Sequence, residues 1–325
     1  MTEFSFPSTV GVFLTSRGPG AATRADLAAT LEELERLGYL GIWFGEGTGR
    51  EAFTAAAVML AATERAVVGP AVATVWGRDP VAAAAAGRTL AEAYPGRFVL
   101  GMGISHPHSV RRRGHEFGKP LGVVSEYLRD LADAPWTGPA VTPPPVLVGA
   151  VGPRMLRLAG EEADGAVTFF VDVAHTARAR ELLGPDAILV VEQAVQVTDS
   201  VAAPPASRGY VEMLLGNPSY RRHLGRMGYP AEMAALIPRL DRLVVWGDPA
   251  AIRARVQEHL DAGADHVALW ALDETGDPFG LETLRALALE LPAISPSRSQ
   301  LHTSVASSCA EWQHDTPRER GERAT

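Results

Sequence analysis

Two histidines and one carboxylate follow short apolar runs of the sequence, and residues of these types can transfer protons. Glu46 lies in the glycine-rich stretch Gly45–Gly49, where the missing side chains would let a ligand approach the backbone closely. His106 and His108 follow the apolar run that ends near Gly101, and histidine has the side chain whose ordinary pKa lies nearest neutrality. The alternatives, an exposed loop carboxylate and two structural histidines, remain open from the residue types alone.

Two further polar residues interrupt an otherwise apolar run. Glu192 and Gln193 are adjacent within ILVVEQAVQV, and both would be costly if they faced only apolar neighbours. We therefore expect one of them to face the interior or the mouth of the fold.

Other residues indicate a flat ligand with an anionic group. Trp76 could supply an apolar wall for a ring, although packing between loops is an equal alternative. The run Gly149–Arg154 leads into a helical pattern that begins MLRLAG, and backbone N–H groups at a helix N-terminus attract phosphate. The basic cluster Arg111–Arg113 could anchor a carboxylate or phosphate, or could be a solvated loop.

The elements that must position these residues are short apolar runs alternating with longer helical patterns. Eight such alternations predict buried parallel strands with crossover helices, which is the pattern of a (β/α)8 TIM barrel in the α/β class. Catalytic groups of such barrels lie at the C-terminal ends of the strands. The expected strands are Val10 to Leu14, Leu40 to Phe44, Ala66 to Val72, Phe98 to Gly101, Val146 to Val148, Gly165 to Phe169, Ile188 to Val197 and His266 to Leu272.

Helix starts and connection lengths complete this prediction. Asp79 and Asp248 each precede a proline, which predicts an N-cap followed by proline at the first helical position. The connections 102–145 and 198–247 are too long for simple turns, so we expect each to contain helices and to line the barrel mouth. Residues 1–294 are expected to form the barrel, and the polar segment 295–325 a disordered tail.

Composition excludes several classes of protein. The chain has 325 residues, of which 46% are hydrophobic, and 30 Lys and Arg against 38 Asp and Glu give a net charge of −8, which disfavours general nucleic-acid binding. The single cysteine, Cys309, excludes an intrachain disulfide framework and a cysteine-rich zinc site, and no metal is expected. Charges interrupt every apolar run well before the roughly 20 residues of a membrane span. We expect a cytoplasmic enzyme that acts on a small molecule.

Four stretches of the chain resemble one known family. GYLGIWFGEGTGRE, LAEAYPGRFVLGMGISH, VGPRMLRLAGEEADGA and VVWGDPAAIRARVQEHLDAGADHVALW are, in this order, similar to luciferase-like monooxygenases, and most similar to F420-dependent oxidoreductases. The resemblance covers about residues 8 to 292. It implies a barrel that carries coenzyme F420, or alternatively FMN, across its mouth, and a possible homodimer.

The same resemblance implies roles for particular residues. The Ala71–Val72 bond would match the family's non-proline cis peptide behind the cofactor ring. Glu46 and Thr74 would contact the cofactor through their side chains, and Met102 and Gly103 through their backbone. The implied phosphate-binding turn consists of Val151, Gly152, Arg154 and Met155.

Two departures from the family pattern bear on the chemistry. Gly47 and Ile104 stand where sugar-phosphate dehydrogenases of this superfamily carry a catalytic histidine and glutamate, so that activity is disfavoured. Proton transfer then falls to His106, Glu46 or Glu192, with His106 preferred. The expected function is hydride transfer between F420 and an unknown organic substrate. The alternatives are an FMN-dependent monooxygenase that activates dioxygen and a catalytically silent flavin-binding barrel. The expected substrate contacts are Trp76, His108 and Gln193.

Overall fold

The computed structural model describes residues 4–15, 22–230, 232–274, 277 and 279–289. The expected tail at 295–325 and Cys309 lie outside the described residues. Within them, ten strands form one parallel sheet. The strands are β1 (Val10–Leu14), β2 (Gly41–Phe44), β3 (Val67–Pro70), β4 (Ala73–Thr74), β5 (Leu100–Gly103), β6 (Val146–Gly149), β7 (Gly165–Thr168), β8 (Ile188–Val197), β9 (Val244–Gly247) and β10 (His266–Ala271).

Helices follow the strands and fill the two long connections, as the sequence predicts. No described helix combines the length and apolar character that crossing a membrane requires. The helices are α1 (Arg24–Arg36), α2 (Ala52–Ala61), α3 (Pro80–Ala93), α4 (Pro107–Arg112), α5 (Pro120–Ala132), α6 (Pro153–Glu162), α7 (Val173–Leu183), α8 (Pro205–Leu215), α9 (Pro218–Arg226), α10 (Met233–Leu236), α11 (Pro249–Asp261) and α12 (Leu281–Ala288), with a 3-10 helix at Ile237–Arg242.

The two predicted Asp-Pro helix starts are confirmed. The Asp79 carboxylate accepts a hydrogen bond from the Ala82 amide at 2.9 Å, and the Asp248 carboxylate accepts one from the Ala251 amide at 2.8 Å. Each cap satisfies a backbone donor that the helix leaves free, so each helix begins at the residue the sequence indicates.

The sheet closes into the predicted barrel. Neighbouring strands follow the order β3-β2-β1-β10-β8-β7-β6-β5-β4, and a parallel bridge between Val68 and Phe98 joins the two ends. The predicted strand Ala66 to Val72 is wrong at its C-terminal end. β3 ends at Pro70, and after the break at Ala71 and Val72 the short strand β4 continues the same part of the barrel wall. The strand expected at Phe98 to Gly101 also begins later, as β5.

One strand was missed by the sequence prediction. β9 lies at the end of a connection that was expected to hold helices, and it pairs with β8 from Ala194 to Val197. β7 pairs only with the first part of that β8 edge, Ile188 to Val191. β9 therefore supplies hydrogen-bond partners to an edge that would otherwise be unpaired, which a four-residue run such as VVWG does not reveal by itself.

Residues of alternate strand positions fill the inside of the barrel. Successive strand side chains point to opposite faces, so one set packs inside the barrel and the other packs under the helices. The inner set forms the lumen cluster, which consists of Phe13, Trp43, Val67, Val99, Leu147, Val167, Val190 and Ala268, with Ala71 and Trp270 packed against it.

Glycines in β5 and β6 make room for the break in the neighbouring wall. A Cβ on Gly101 would lie 1.9 Å from the Pro70 carbonyl oxygen, and one on Gly103 would lie 2.3 Å from a Val72 methyl group. A Cβ on Gly149 would lie 3.1 Å from the same side chain. Gly103 is therefore required for packing against Val72 and Gly101 for packing against Pro70, whatever ligand the mouth binds, and Gly149 leaves Val72 further room.

Substituting Gly103 with alanine should destabilise the fold, because the new methyl group and Val72 cannot occupy the same space. We expect the free energy of unfolding to fall by about 1 to 3 kcal/mol, as in other overpacked cores. Adding Val72→Ala should recover part of the loss, and urea denaturation of the single and double variants measures both effects.

Gly122→Ala is the matched control, since Gly122 lies in α5 and a Cβ there meets nothing within 4 Å. It should be neutral or stabilising by up to about 1 kcal/mol. Equal stability of Gly103→Ala and the parent chain would contradict this packing explanation.

Candidate active site

Glu46 is a paired carboxylate at the mouth. One of its oxygens accepts a hydrogen bond from the Thr74 amide at 2.7 Å, and both oxygens contact the Arg78 guanidinium. Arg78 also donates to Glu51 at 2.7 Å, while the Glu46 side chain is only 3% exposed. The structure therefore gives Glu46 the task of holding the loop after β4, with little capacity left for proton transfer.

The segment between β3 and β4 contains a non-proline cis peptide bond. The Ala71–Val72 peptide bond is cis, as the family resemblance implied. The Ala71 amide donates to the Phe44 carbonyl at 2.7 Å, and Ala71 packs on the lumen cluster. The Trp76 indole N–H donates to the Ile104 carbonyl at 2.9 Å, so this tryptophan links the loops after β4 and β5.

His106 lies at the C-terminal end of β5 in contact with a residue of the distant α9 helix. Its Nε2 lies 3.2 Å from the Tyr220 hydroxyl, and its ring stacks on that of the exposed His108 with centroids 6.0 Å apart. Burial, and to a smaller extent the neighbouring His108, lowers the pKa of His106. The imidazole is consequently neutral near pH 7.

Glu192 is the second carboxylate of the mouth, and its surroundings are the opposite of those of Glu46. It follows Val190 on the inner face of β8 and is 2% exposed. Among the described residues, neither of its oxygens has a partner with hydrogen-bond geometry. Burial raises the pKa of Glu192 to about 8, a rise that the Phe170 amide partly opposes. At neutral pH this group is therefore a carboxylic acid.

Aromatic residues from separate elements form the surface above Glu192. We call Phe13, Phe169, Tyr220 and Trp270 the aromatic wall. The ring centroids of Phe13 and Trp270 lie 5.2 Å apart, those of Phe169 and Tyr220 5.4 Å apart, and those of Phe169 and Trp270 5.8 Å apart. Sequence reasoning missed these residues because an isolated aromatic residue at a strand end looks like ordinary core.

The predicted phosphate-binding turn lies at the start of α6. Gly152 occupies the N-cap position without a side-chain cap, and the Val151 carbonyl accepts a hydrogen bond from His175 Nε2 at 2.9 Å. Arg154 and Met155 are the following helical residues that were predicted to contact the cofactor. The Arg226 guanidinium of α9 lies 3.5 Å from where a Gly152 Cβ would be, a cation that sequence reasoning also missed.

Gln193 is not brought to the mouth. Its amide donates to the carbonyls of Ala194 and Leu243, and its oxygen lies 2.8 Å from Nε2 of the buried His259. Because adjacent strand residues face opposite sides, Glu192 on the inner face leaves Gln193 on the outer face. Gln193 thus belongs to a polar network between the barrel and its helices.

The remaining predicted residues divide between the mouth and the core. The Met102 side chain packs in the core under the helices, which leaves only its backbone for a ligand. His106 and Glu192 come from different elements, and both act on Tyr220, His106 through a contact of 3.2 Å and Glu192 electrostatically, whereas Trp76 contacts Ile104. Among the described residues, no three His, Cys, Asp or Glu side chains are placed to hold a metal ion.

Known proteins share the sequence pattern and the fold of this chain. A family model described as luciferase-like monooxygenase matches residues 8–266, which is most of the chain. The chain belongs to the luciferase-like monooxygenase family. It is accordingly an enzyme, with the barrel architecture of that family.

One relative of similar sequence carries the name of a cofactor. This luciferase-like chain is 30% identical over 179 residues to "Putative coenzyme F420-dependent oxidoreductase Rv3520c" of Mycobacterium tuberculosis, a match that covers 45% of this chain and about half, 50%, of the relative.

Two solved structures have the same fold. The F420-dependent tetrahydromethanopterin reductase of Methanopyrus kandleri has a TM-score of 0.70 at 16% identity, with 89% of this chain and 99% of that chain covered. The oxygenating constituent of 3,6-diketocamphane monooxygenase from Pseudomonas putida, in complex with FMN, has a TM-score of 0.66 at 16% identity, with 90% and 99% covered.

Replacing Glu192 with glutamine should change how stability depends on pH. The folded pKa of about 8 exceeds the ordinary value of 4.5, so between these values the unfolded chain loses a proton that the folded chain keeps. The folded parent chain therefore becomes less stable relative to the unfolded chain as the pH rises, by up to about 1.4 kcal/mol per pH unit. Relative to the parent chain, the variant should therefore gain stability from pH 5 to pH 8 in urea denaturation.

Glu212→Gln is the control, because Glu212 is an exposed glutamate of α8. Its stability should follow that of the parent chain across the same pH range. If both variants track the parent equally, Glu192 does not titrate as a buried acid.

Proposed function

We propose that this chain is an F420-dependent oxidoreductase that transfers hydride between the deazaflavin and a small uncharged organic substrate. The main support is the start of α6, where Gly152 has no side-chain cap and the Arg226 guanidinium lies beside it, at the same end of the barrel as Ala71 and Val72. The relationship to the Mycobacterium tuberculosis protein favours F420 within the family. When bound, the deazaflavin would supply the hydride-transferring carbon.

The residues present fit such a cofactor at two places. The start of α6 has no side-chain cap and no side chain at Gly152 to fill the space, and Arg226 adds positive charge beside it. These features suit a phosphate group. Ala71 packs against the lumen cluster, so Ala71 and Val72 would back the ring while the pair Glu46 and Arg78 keeps the Thr74 loop in place.

Two titratable groups have environments that favour opposite roles in proton transfer. Glu192 keeps its proton near neutral pH and can donate it, whereas the neutral imidazole of His106 can accept one. Tyr220 interacts with both groups. Its hydroxyl contacts His106, and an ionised Glu192 would raise the pKa of Tyr220 further. Placing both groups at one mouth favours an active enzyme over a silent flavin-binding barrel.

The second candidate is an FMN-dependent monooxygenase. The Pseudomonas putida structure, which has the same fold, was determined with FMN, and the same turn could bind the phosphate of either cofactor. The two activities differ in whether the reduced, protein-bound cofactor consumes oxygen.

Cofactor titration separates these candidates. We expect purified protein to bind F420 more tightly than FMN or FAD, measured by cofactor fluorescence, with the reduced complex stable in air. Arg226→Gln should weaken F420 binding about three- to tenfold, which is the effect expected for the loss of one partly exposed charge contact. The control Arg208→Gln removes an exposed arginine of α8 and should leave F420 binding unchanged. Tight FMN binding with no F420 binding would overturn the cofactor assignment.

His106→Ala should reduce turnover far more than cofactor binding. Loss of one acid or base group costs about 100- to 10,000-fold in rate, whereas the F420 dissociation constant should change less than threefold. The measurement is deazaflavin absorbance during a screen of uncharged carbonyl and alcohol substrates. Equal losses in turnover and binding would remove His106 from proton transfer and make it a structural residue.

A further inference from the structure

We propose that the aromatic wall is the substrate platform and that it binds an uncharged compound with a planar ring and a carbonyl oxygen, to which the Tyr220 hydroxyl donates a hydrogen bond. This inference rests on the proposed function, because it names the substrate class of the same mouth. It adds Tyr220 as a recognition residue, which neither the family resemblance nor the sequence motifs indicate.

The wall is a continuous apolar surface built from four elements. Phe13 comes from β1, Trp270 from β10, Phe169 from the end of β7 and Tyr220 from α9. Phe13 is buried and forms the floor, whereas the other three rings are partly exposed at the mouth. Flat rings recognise other flat rings by offset or edge-to-face contact, so this surface suits a planar ligand.

The wall also adjoins the position expected for the cofactor ring. Ala71 and Trp270 both pack on the lumen cluster, of which Phe13 is a member. A Cβ on Gly45 would lie 3.7 Å from the Phe13 ring, which places the start of the Glu46 loop beside the same floor. The aromatic wall and Ala71 therefore rest on the same cluster of residues inside the barrel.

Tyr220 presents the polar group of this surface. Its ring meets the His106 ring edge-on at 5.1 Å, and its hydroxyl lies 3.2 Å from His106 Nε2. If the proton of the neutral imidazole is on Nε2, His106 donates to the tyrosine oxygen. The hydroxyl hydrogen is then free to point at an acceptor on the ligand, and a carbonyl oxygen is such an acceptor.

Two buried polar groups behind the wall indicate that the ligand is uncharged. The Tyr210 hydroxyl and both Glu192 oxygens lack hydrogen-bond partners among the described residues, and both side chains are at most 5% exposed. Glu192 acts electrostatically on Tyr210 and Tyr220, whose raised pKa values leave both tyrosines neutral near pH 7. A ligand carboxylate or phosphate would meet this acid and these rings without a matching cation, at a large desolvation cost.

Three ligands with one ring system test the proposal by equilibrium dialysis. 2-Acetylnaphthalene carries the carbonyl, 2-ethylnaphthalene lacks it, and 2-naphthoate carries a charge. The ketone should bind the parent protein about three- to tenfold more tightly than the hydrocarbon, the range of one net hydrogen bond, and naphthoate should bind most weakly. Tyr220→Phe should abolish the preference for the ketone and leave hydrocarbon binding unchanged.

Tyr94→Phe is the matched control, because Tyr94 follows α3 and precedes the N-terminal end of β5, at the end of the barrel opposite the mouth. It should keep the full ketone preference. Retained hydrocarbon binding also shows that Tyr220→Phe is folded. An unchanged ketone preference in Tyr220→Phe, or naphthoate binding as tight as ketone binding, would overturn the proposal.

The same dialysis with and without F420 separates the two proposals. If F420 binds and no naphthalene probe does, the substrate class is wrong and the proposed cofactor stands. If the ketone preference is present and F420 does not bind, the platform stands and the proposed function fails.

Discussion

The fit of Val72 against Gly103 and Gly149 is the packing constraint on which the mouth depends. Val72 lies where the wall strand is interrupted between β3 and β4, and its side chain occupies the space that Cβ atoms on Gly103 and Gly149 would take. Gly101 leaves room for the Pro70 carbonyl in the same way. With these glycines in place, the barrel closes around the break between β3 and β4, and Ala73 and Val75 pack in the core under the helices.

Two carboxylates at this opening show how environment assigns different tasks to one residue type. Glu46 accepts a hydrogen bond from a backbone amide and forms an ion pair with Arg78, so it holds the loop after β4 in place. Glu192 is as deeply buried but lacks such partners, so it retains its proton. A buried acid without partners costs stability, which proteins tolerate mainly where chemistry requires it.

The connection between β8 and β9 supplies residues to the site that no short sequence motif predicts. It carries Tyr210 in α8 and Tyr220 and Arg226 in α9. Tyr210 interacts electrostatically with Glu192, the Tyr220 hydroxyl lies 3.2 Å from His106 Nε2, and the Arg226 guanidinium lies beside Gly152 at the start of α6. In the proposed function, the family barrel provides the turn and the segment at Ala71 and Val72, whereas this connection selects the ligand that the mouth of this luciferase-like chain accepts.

The sequence by itself determined the barrel, because alternating apolar strands and capped helices are local patterns that each short segment carries. It also located the Asp79 and Asp248 caps and the turn at Gly152, since cap and turn chemistry depend on neighbouring residues. Only the tertiary structure decided that Glu46 is paired, that Gln193 faces outward and that Tyr220 meets His106, 114 residues apart in the chain. Such contacts depend on strand register and on where a long connection folds back, and neither is encoded in the spacing of nearby residues.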